Sequence, residues 1–378
     1  MHMLVPVFSL TPAKVIMIYD KRQYRQSRLE YFEKAMKRRL PRLTCDYINI
    51  NLHHVGDIQA LMESISAEEN GDNIYINLTG ASELMSAAGF YVGRLKNMTA
   101  VYLNRKDRSI IRVEDLSILA KAAELTLDEY LECLGARQLN NSHMMPKKEM
   151  HKSILRMADF TFSHLNEWHA LQLYVAVNTS THGNDLYIPN VCVYKDRRYN
   201  VEPLIREFVY NRFLSKNHDG SYRFTSPQAK SYMGIFGIWL ELYVYLNLSR
   251  HYKDVHFGVV IDWMKQDGRE TVDNEIDVVV MRHSEPVLIS CKMRKPDPDD
   301  VYEIKSLAYT LGGPIGKGVI ATTFPVRSTY DNPHDIGVRM EMMNVGLIEV
   351  SDFKEKDPEK VLKEAILPDP FRGHWSMQ

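Results

Sequence analysis

The chain has 378 residues, 45% of them hydrophobic, enough apolar material for two or three independently cored domains. With 47 Lys and Arg against 48 Asp and Glu, the formal net charge is −1, so any nucleic-acid contact must come from a local basic surface rather than a global field. Cys45, Cys133, Cys192 and Cys291 stand far apart with no CxxC pair, which argues against a disulfide framework or structural zinc and for a reducing cytoplasm.

The opening MHMLVPVFSL lacks the basic n-region of a signal peptide. No run approaches the roughly 18 apolar residues of a membrane span, so a cytoplasmic protein with no membrane segment is expected. Short apolar runs then alternate with amphipathic stretches. AKVIMIY (13–19), CDYINI (45–50), NIYINL (73–78) and TAVYLN (99–104) read as strands. SRLEYFEKAMKRRL (27–40), DIQALMESISAE (57–68) and SELMSAAGFYVGRL (82–95) read as helices between them. That alternation predicts a parallel, doubly wound, Rossmann-like sheet, with SIIRVED (109–115) as an antiparallel edge strand. The first domain is set at 1–140.

Ligands of such sheets bind beyond the carboxyl ends of the strands, where helices present free N–H groups. Two turns lie there. One carries Tyr19, Asp20, Lys21 and Arg22; the other is NLTGAS, with Asn77, Thr79, Gly80, Ala81 and Ser82. Ser82 also suits a helix N-cap, so a capped helix and a phosphate site both account for the second turn. There is no GxGxxG and no GxxxxGK[ST], which excludes the usual dinucleotide and P-loop assignments.

NLTGAS, after the third strand and opening a helix, resembles the N-x-T-G-G-T/S motif of CARF domains, the ligand-sensing domains of CRISPR-associated effectors. The resemblance implies a Rossmann-like fold, a homodimer and cyclic oligoadenylate bound across the dimer axis. Thr79, Gly80, Ala81 and Ser82 would contact the ligand, with Tyr19 and Asp20 at the second loop the family uses. Ala81 departs from the commoner second glycine but is small enough to permit close backbone contact.

LTLDEYLECLGA (125–136) reads as a helix with Thr126 as N-cap and Gly135 at its end. HMMPKKEMHK (143–152) is a linker candidate, and 154–177 has helical periodicity. Residues 141–225 are therefore set as a mainly helical connector. A winged-helix element and a plain helical spacer both suit the stretch from 150 to 225, which includes the basic run KDRR (195–198). His151, His164, His169 and His182 show no spacing that points to zinc.

The last region, 226–378, carries the chemistry. GIFGIWLELYVYLNL (234–248) is apolar on every face, which marks a buried helix, yet Glu241 sits in its middle. A buried carboxylate needs a cation, a metal or a proton. In NEIDVVVMRHSEPVLISCKMRK (274–295) two strands carry Glu275 and Asp277 on one arm and Ser290 and Lys292 on the other. A two-residue loop at His283-Ser284 would set Asp277 opposite Ser290 and Glu275 opposite Lys292, all on one face. Three carboxylates beside a lysine suit a hard divalent cation, Mg²⁺ or Mn²⁺, and phosphodiester hydrolysis. A Glu275–Lys292 ion pair alone would leave Asp277 and Glu241 unexplained.

Helix-Glu, strand-Asp, strand-x-x-Lys, helix VYEIKSLAYTLGG (301–313) and strand GVIATT (318–323) resemble, in that order, the PD-(D/E)XK nuclease fold. GIWLELYVY resembles the corresponding segment of CARF-domain nucleases activated by cyclic tetra-adenylate. The resemblance implies a restriction-endonuclease-like α/β domain with catalytic Glu241, Glu275, Asp277 and Lys292. It further implies metal ligation by Glu241, Asp277 and the Cys291 carbonyl. Ser290 departs from the Glu or Asp usual at its position, which bears on metal affinity and turnover. The expectation is a cyclic oligoadenylate-activated, metal-dependent nuclease of type III CRISPR defence acting on DNA or RNA. The competing reading is a ligand-controlled transcription regulator with an inactive nuclease-like domain; a restriction-type nuclease without an allosteric ligand is a third.

Overall fold

The computed structural model describes residues 1–22, 26–68, 74–139, 144–179, 185–263, 273–313, 316–326 and 335–366. The expected features at Asn73, His143 and His182 lie outside the described residues. The chain forms two compact units. The first comprises Met1–Gln138, Ile261–Asp273 and His283–Glu285; the second comprises Leu139–Val260, Asn274–Arg282 and Pro286–Gln378.

In the first unit the order is α1 (Leu4–Leu10), β1 (Lys14–Tyr19), α2 (Gln26–Arg39), β2 (Thr44–Asn49), α3 (Val55–Glu68), β3 (Tyr75–Asn77), α4 (Glu83–Leu95) and β4 (Thr99–Asn104). β5 (Ser109–Arg112), β6 (Ile118–Lys121), α5 (Leu127–Leu134) and β7 (Ala136–Leu139) follow. β1 and β2 pair in parallel, as do β3 and β4. Among the described residues β1–β2 form one ladder and β3–β4–β5–β6 another, the short β3 pairing through its three residues with β4. β5 is antiparallel to β4 as expected but is not the edge, because β6 pairs with its other side. The opening segment folds as α1, burying Leu4, Val5 and Phe8. α5 has the capping box its sequence announced: Thr126 accepts from Glu129 N–H, Glu129 answers to Thr126 N–H, and Gly135 turns the chain at φ 71°.

The second unit starts with α6 (His151–Ser163), α7 (Leu165–Asn178), β8 (Asp185–Leu186), β9 (Val191–Tyr194), β10 (Arg197–Asn200) and α8 (Glu202–Tyr210). Next come β11 (Leu214–Lys216), β12 (Tyr222–Phe224), α9 (Pro227–Gly234), α10 (Ile238–Leu248), β13 (Val255–Trp263), β14 (Asp273–Arg282) and β15 (Glu285–Lys292). α11 (Pro298–Gly312), β16 (Lys317–Thr322), α12 (Ile336–Met342), β17 (Val345–Glu349), α13 (Asp352–Glu355) and α14 (Pro358–Ile366) complete it. The connector stretch contributes three helices, a β9–β10 hairpin and a small antiparallel sheet ordered β11-β12-β8. The principal sheet includes β17-β16-β15-β14-β13 in that order, with β15–β16 and β16–β17 parallel pairs and β14–β15 a hairpin.

α10 is held from all sides, as its sequence requires. Trp239 is fully buried, with ring centroids 5.3 Å from Phe213, 5.6 Å from Phe208 and 6.1 Å from both Trp168 and Tyr232. These edge-to-face and tilted contacts fix the helix in rotation as well as position. Glu241, two residues on, is thereby held in place on a rigid element.

Candidate active site

β14 and β15 are joined by the two-residue loop His283-Ser284, as expected, with φ of 53° and 67° at the two positions. Left-handed backbone at both central residues is the turn that matches strand twist, though it strains non-glycine residues. Ser284 is buried, and its hydroxyl accepts from Leu125 N–H at 2.9 Å. Glu285 pairs with Arg105 and lies 3.9 Å from His2, both in the first unit with it.

Within the second unit, α10 and the hairpin bring Glu241, Glu275, Asp277 and Lys292 into mutual electrostatic range. Burial pushes the Glu241 carboxyl well above its ordinary range; the charges of Asp277 and Glu275 push it the same way, and Lys292 only partly offsets them. Burial likewise pushes Asp277 up to about 6, against the pull of the Cys291 N–H, which donates to its Oδ2 at 2.6 Å. The carboxylate of Glu241 folds back towards Gly237, where a Cβ would stand 3.2 Å from Oε1. Gly237 has φ 86°, so glycine serves both the backbone and the carboxylate. Cys291 is buried in the core, and its backbone N–H makes its hydrogen bond to Asp277.

Lys292 does not form the cross-strand pair with Glu275 that would have made the hairpin merely structural. Its Nζ bonds Asp300 Oδ1 at 3.2 Å, not Glu275. Asp300 sits in the first turn of α11 beneath a capping box with Asp297 and is gripped at 2.8 Å by each arm of Arg294. Burial opposes its charge, but the Asp297 N–H, Arg294 and Lys292 together pull its carboxyl below the ordinary range. Asp300 thus positions the lysine, a role the sequence reading missed. The signal was present in D-P-D-D, an N-cap, a first-turn proline and an acid at N3. A small cleft beside the hairpin is lined by Glu275, Asp277, Ser290, Glu303, Ile304 and Leu307, which adds Glu303 as a second missed residue.

Another grouping of potential donors, His251, Asp357 and Glu359, converges within 4.8 Å but is fully exposed and includes none of the hairpin carboxylates. Exposed acidic groups of this kind are common without an ion, and it carries no assignment.

In the first unit, the NLTGAS turn uses much of its polarity on itself. Asn77 donates to Met3 O at 2.7 Å and accepts from Thr79 N–H at 3.0 Å. The buried Thr79 hydroxyl accepts from Leu103 N–H at 2.9 Å. Ser82 caps α4, accepting from Met85 N–H. Gly80, at φ 80°, Ala81 and Ser82 are exposed. In the other turn Asp20 is buried and holds Arg22 through its backbone N–H and guanidinium, and these bonds keep its carboxyl well below the usual range. Tyr19 ends β1, its carbonyl accepting from Ile50 N–H. Among the described residues no helix is long and apolar enough to cross a membrane.

The chain is a two-unit α/β protein with a carboxylate–lysine cluster in its second unit. Residues 231–359 match the family model described as the Card1-like endonuclease domain. No curated protein matches the chain. Among solved structures, VC1899 from Vibrio cholerae superposes with a TM-score of 0.76 at 17% identity, covering 96% of this chain and 94% of that one. Can2 from Sulfobacillus thermosulfidooxidans, in complex with cyclic tetra-adenylate, gives 0.69 at 20% identity over 96% and 95%. A type III CRISPR defence DNA nuclease activated by cyclic oligoadenylate gives 0.54 at 14% identity, covering 97% of this chain and 51% of that one. The chain thus shares its overall fold with these structures, and its residues 231–359 match the Card1-like endonuclease domain.

Proposed function

We propose that the protein is a cyclic oligoadenylate-activated, metal-dependent nuclease of type III CRISPR defence. The observation that carries this reading is the convergence of the half-buried Glu241 and Asp277 with the exposed Glu275 beside Lys292, a concentration of negative charge that a divalent cation would relieve. The donor set is all oxygen, which fits Mg²⁺ or Mn²⁺. Glu241, Asp277 and the Cys291 carbonyl would hold the ion, with Glu275 at the mouth. When bound, it supplies Lewis-acid stabilisation of phosphate charge and an acidified water. Lys292, oriented by Asp300, is placed to neutralise charge developing on the phosphate. The Cys291 N–H keeps Asp277 aimed and ionisable.

Activation is assigned to the first unit, as a homodimer binding cyclic tetra-adenylate at Thr79, Gly80, Ala81 and Ser82, with Tyr19 and Asp20 at the second loop. The Can2 complex supports this ligand class. A route for the signal is available along the chain. Thr79 bonds Leu103 N–H at the end of β4, Arg105 follows two residues later, and Arg105 pairs with Glu285 at the start of β15. Ligand binding would shift the hairpin only through contacts that differ between the free and bound states.

The test is cleavage of supercoiled plasmid, single-stranded DNA and RNA with Mn²⁺ or Mg²⁺, with and without cyclic tetra-adenylate. Cutting that requires both metal and cyclic ligand is the expected result. Ligand binding with no cutting under any condition would favour the regulator reading. Cutting without the cyclic ligand would leave a plain nuclease.

A further inference from the structure

Ser290 and Glu303 line the same cleft as Asp277 and Glu275. Serine brings no charge, and its small side chain leaves room above the strand. Glu303 comes from α11, one turn beyond Asp300; residues 300, 303, 304 and 307 share one face of that helix. The same face therefore delivers Asp300 to Lys292 and Glu303 to the cleft. The capping box and the Arg294–Asp300 clamp fix where the helix begins, and so where Glu303 stands.

Glu303 makes no ion pair among the described residues. Three carboxylates thus surround a serine, and the nearby lysine is bonded to Asp300. Glu303 is exposed, lines the cleft and carries one of the charges acting on Asp277.

We propose that Glu303 is a ligand of the divalent cation bound by Asp277, supplying from α11 the carboxylate that Ser290 does not supply from β15. The proposal rests on the metal-dependent reading above and assigns one more member of its donor set.

The test measures Mn²⁺ binding to the full-length protein by electron paramagnetic resonance of the free ion, without nucleic acid. Wild type, Asp277→Asn, Glu303→Gln and Glu303→Gln combined with Ser290→Glu are compared, with Glu359→Gln as a control at the exposed grouping. Glu303→Gln should weaken Mn²⁺ binding by ~10-fold or more. Ser290→Glu should restore much of it, since a carboxylate returns to the same cleft from the strand. The melting temperature of metal-free Glu303→Gln should stay within a degree or so of wild type, because the residue is exposed. Wild-type affinity in Glu303→Gln alongside lost affinity in Asp277→Asn would overturn the role of Glu303 while leaving the metal site standing. Unchanged binding in both variants would overturn the metal-site reading and this proposal with it.

Discussion

The NLTGAS turn and the β14–β15 hairpin both set polar side chains at functional positions, but they treat them in opposite ways. In the turn, Asn77, Thr79 and Ser82 each satisfy a backbone group nearby, so removing a ligand leaves nothing in need of a partner. In the hairpin region, Glu241 and Asp277 are half-buried within each other's electrostatic range and that of the exposed Glu275, with Lys292 bonded to Asp300. The turn is finished as structure and offers a ligand mainly exposed backbone at Gly80 and Ala81. The carboxylates, in the proposed reading, await a cation. Polar groups the fold satisfies are weak witnesses to function, and groups it holds in mutual repulsion are strong ones.

The sharpest way to break that contrast is Asp277→Asn. Cleavage should fall to background, on the order of 10³-fold or more, since the change removes a metal ligand without changing shape. The metal-free protein should nevertheless melt no lower, and a few degrees higher near pH 8, because a buried charge is gone. The sign follows from the raised pKa: a carboxyl shifted from 3.8 to about 6 on folding contributes stability that is fully present below pH 3.8 and lost as pH rises through about 6. Calorimetry without metal reads it, and a lower melting point would show that the Cys291–Asp277 bond outweighs the buried charge.

Trp239→Ala should cost the second unit about 3–5 kcal/mol by chemical denaturation, and take cleavage with it by releasing the helix that carries Glu241. Retained cleavage would mean α10 is held by its other contacts. Asp300→Asn should lower cleavage by ~10-fold or more with less loss of Mn²⁺ affinity, because it loosens a lysine rather than a ligand. Equal losses of both would place Asp300 nearer the ion.

At the turn the expected effects are smaller and separable. Ser82→Ala removes a cap worth about 1 kcal/mol and should leave cyclic tetra-adenylate binding nearly intact, whereas Ser82→Glu should weaken it by setting a like charge beside phosphate. Isothermal titration with both variants distinguishes the cap from the contact. Unaffected binding in Ser82→Glu would move the ligand elsewhere. Metal affinity should also rise with pH through about 6 as Asp277 loses its proton; a flat profile would free Asp277 of that role.

Much of this was legible in the sequence because burial and periodicity leave plain marks. α10 is apolar on every face, so its single glutamate stood out, and the two-residue hairpin loop followed from requiring four polar side chains on one face. The Thr126–Gly135 helix was bounded by its own caps. β13 was missed because VHFGVVIDW carries its polar residues only at the ends and no turn signal sets it off. α1 was missed because Pro6 and a seven-residue length leave little helical pattern. Asp300 and Glu303 escaped for another reason: D-P-D-D-V-Y-E reads as a solvated helix start, and only packing of one face of α11 against the hairpin gives its acids a target.

The division of the chain has a practical consequence. The first unit draws Ile261–Asp273 and His283–Glu285 from sequence flanked on both sides by the second, so the units are nested rather than strung in series. No single cut in the polypeptide yields two complete halves. A fragment ending near residue 140 would lack the hairpin tip that satisfies Leu125 N–H and pairs with Arg105, and the remainder would carry that tip with nothing to receive it. Separately expressed halves should therefore be poorly soluble alone, and recover on coexpression only if the tip can dock without its covalent path.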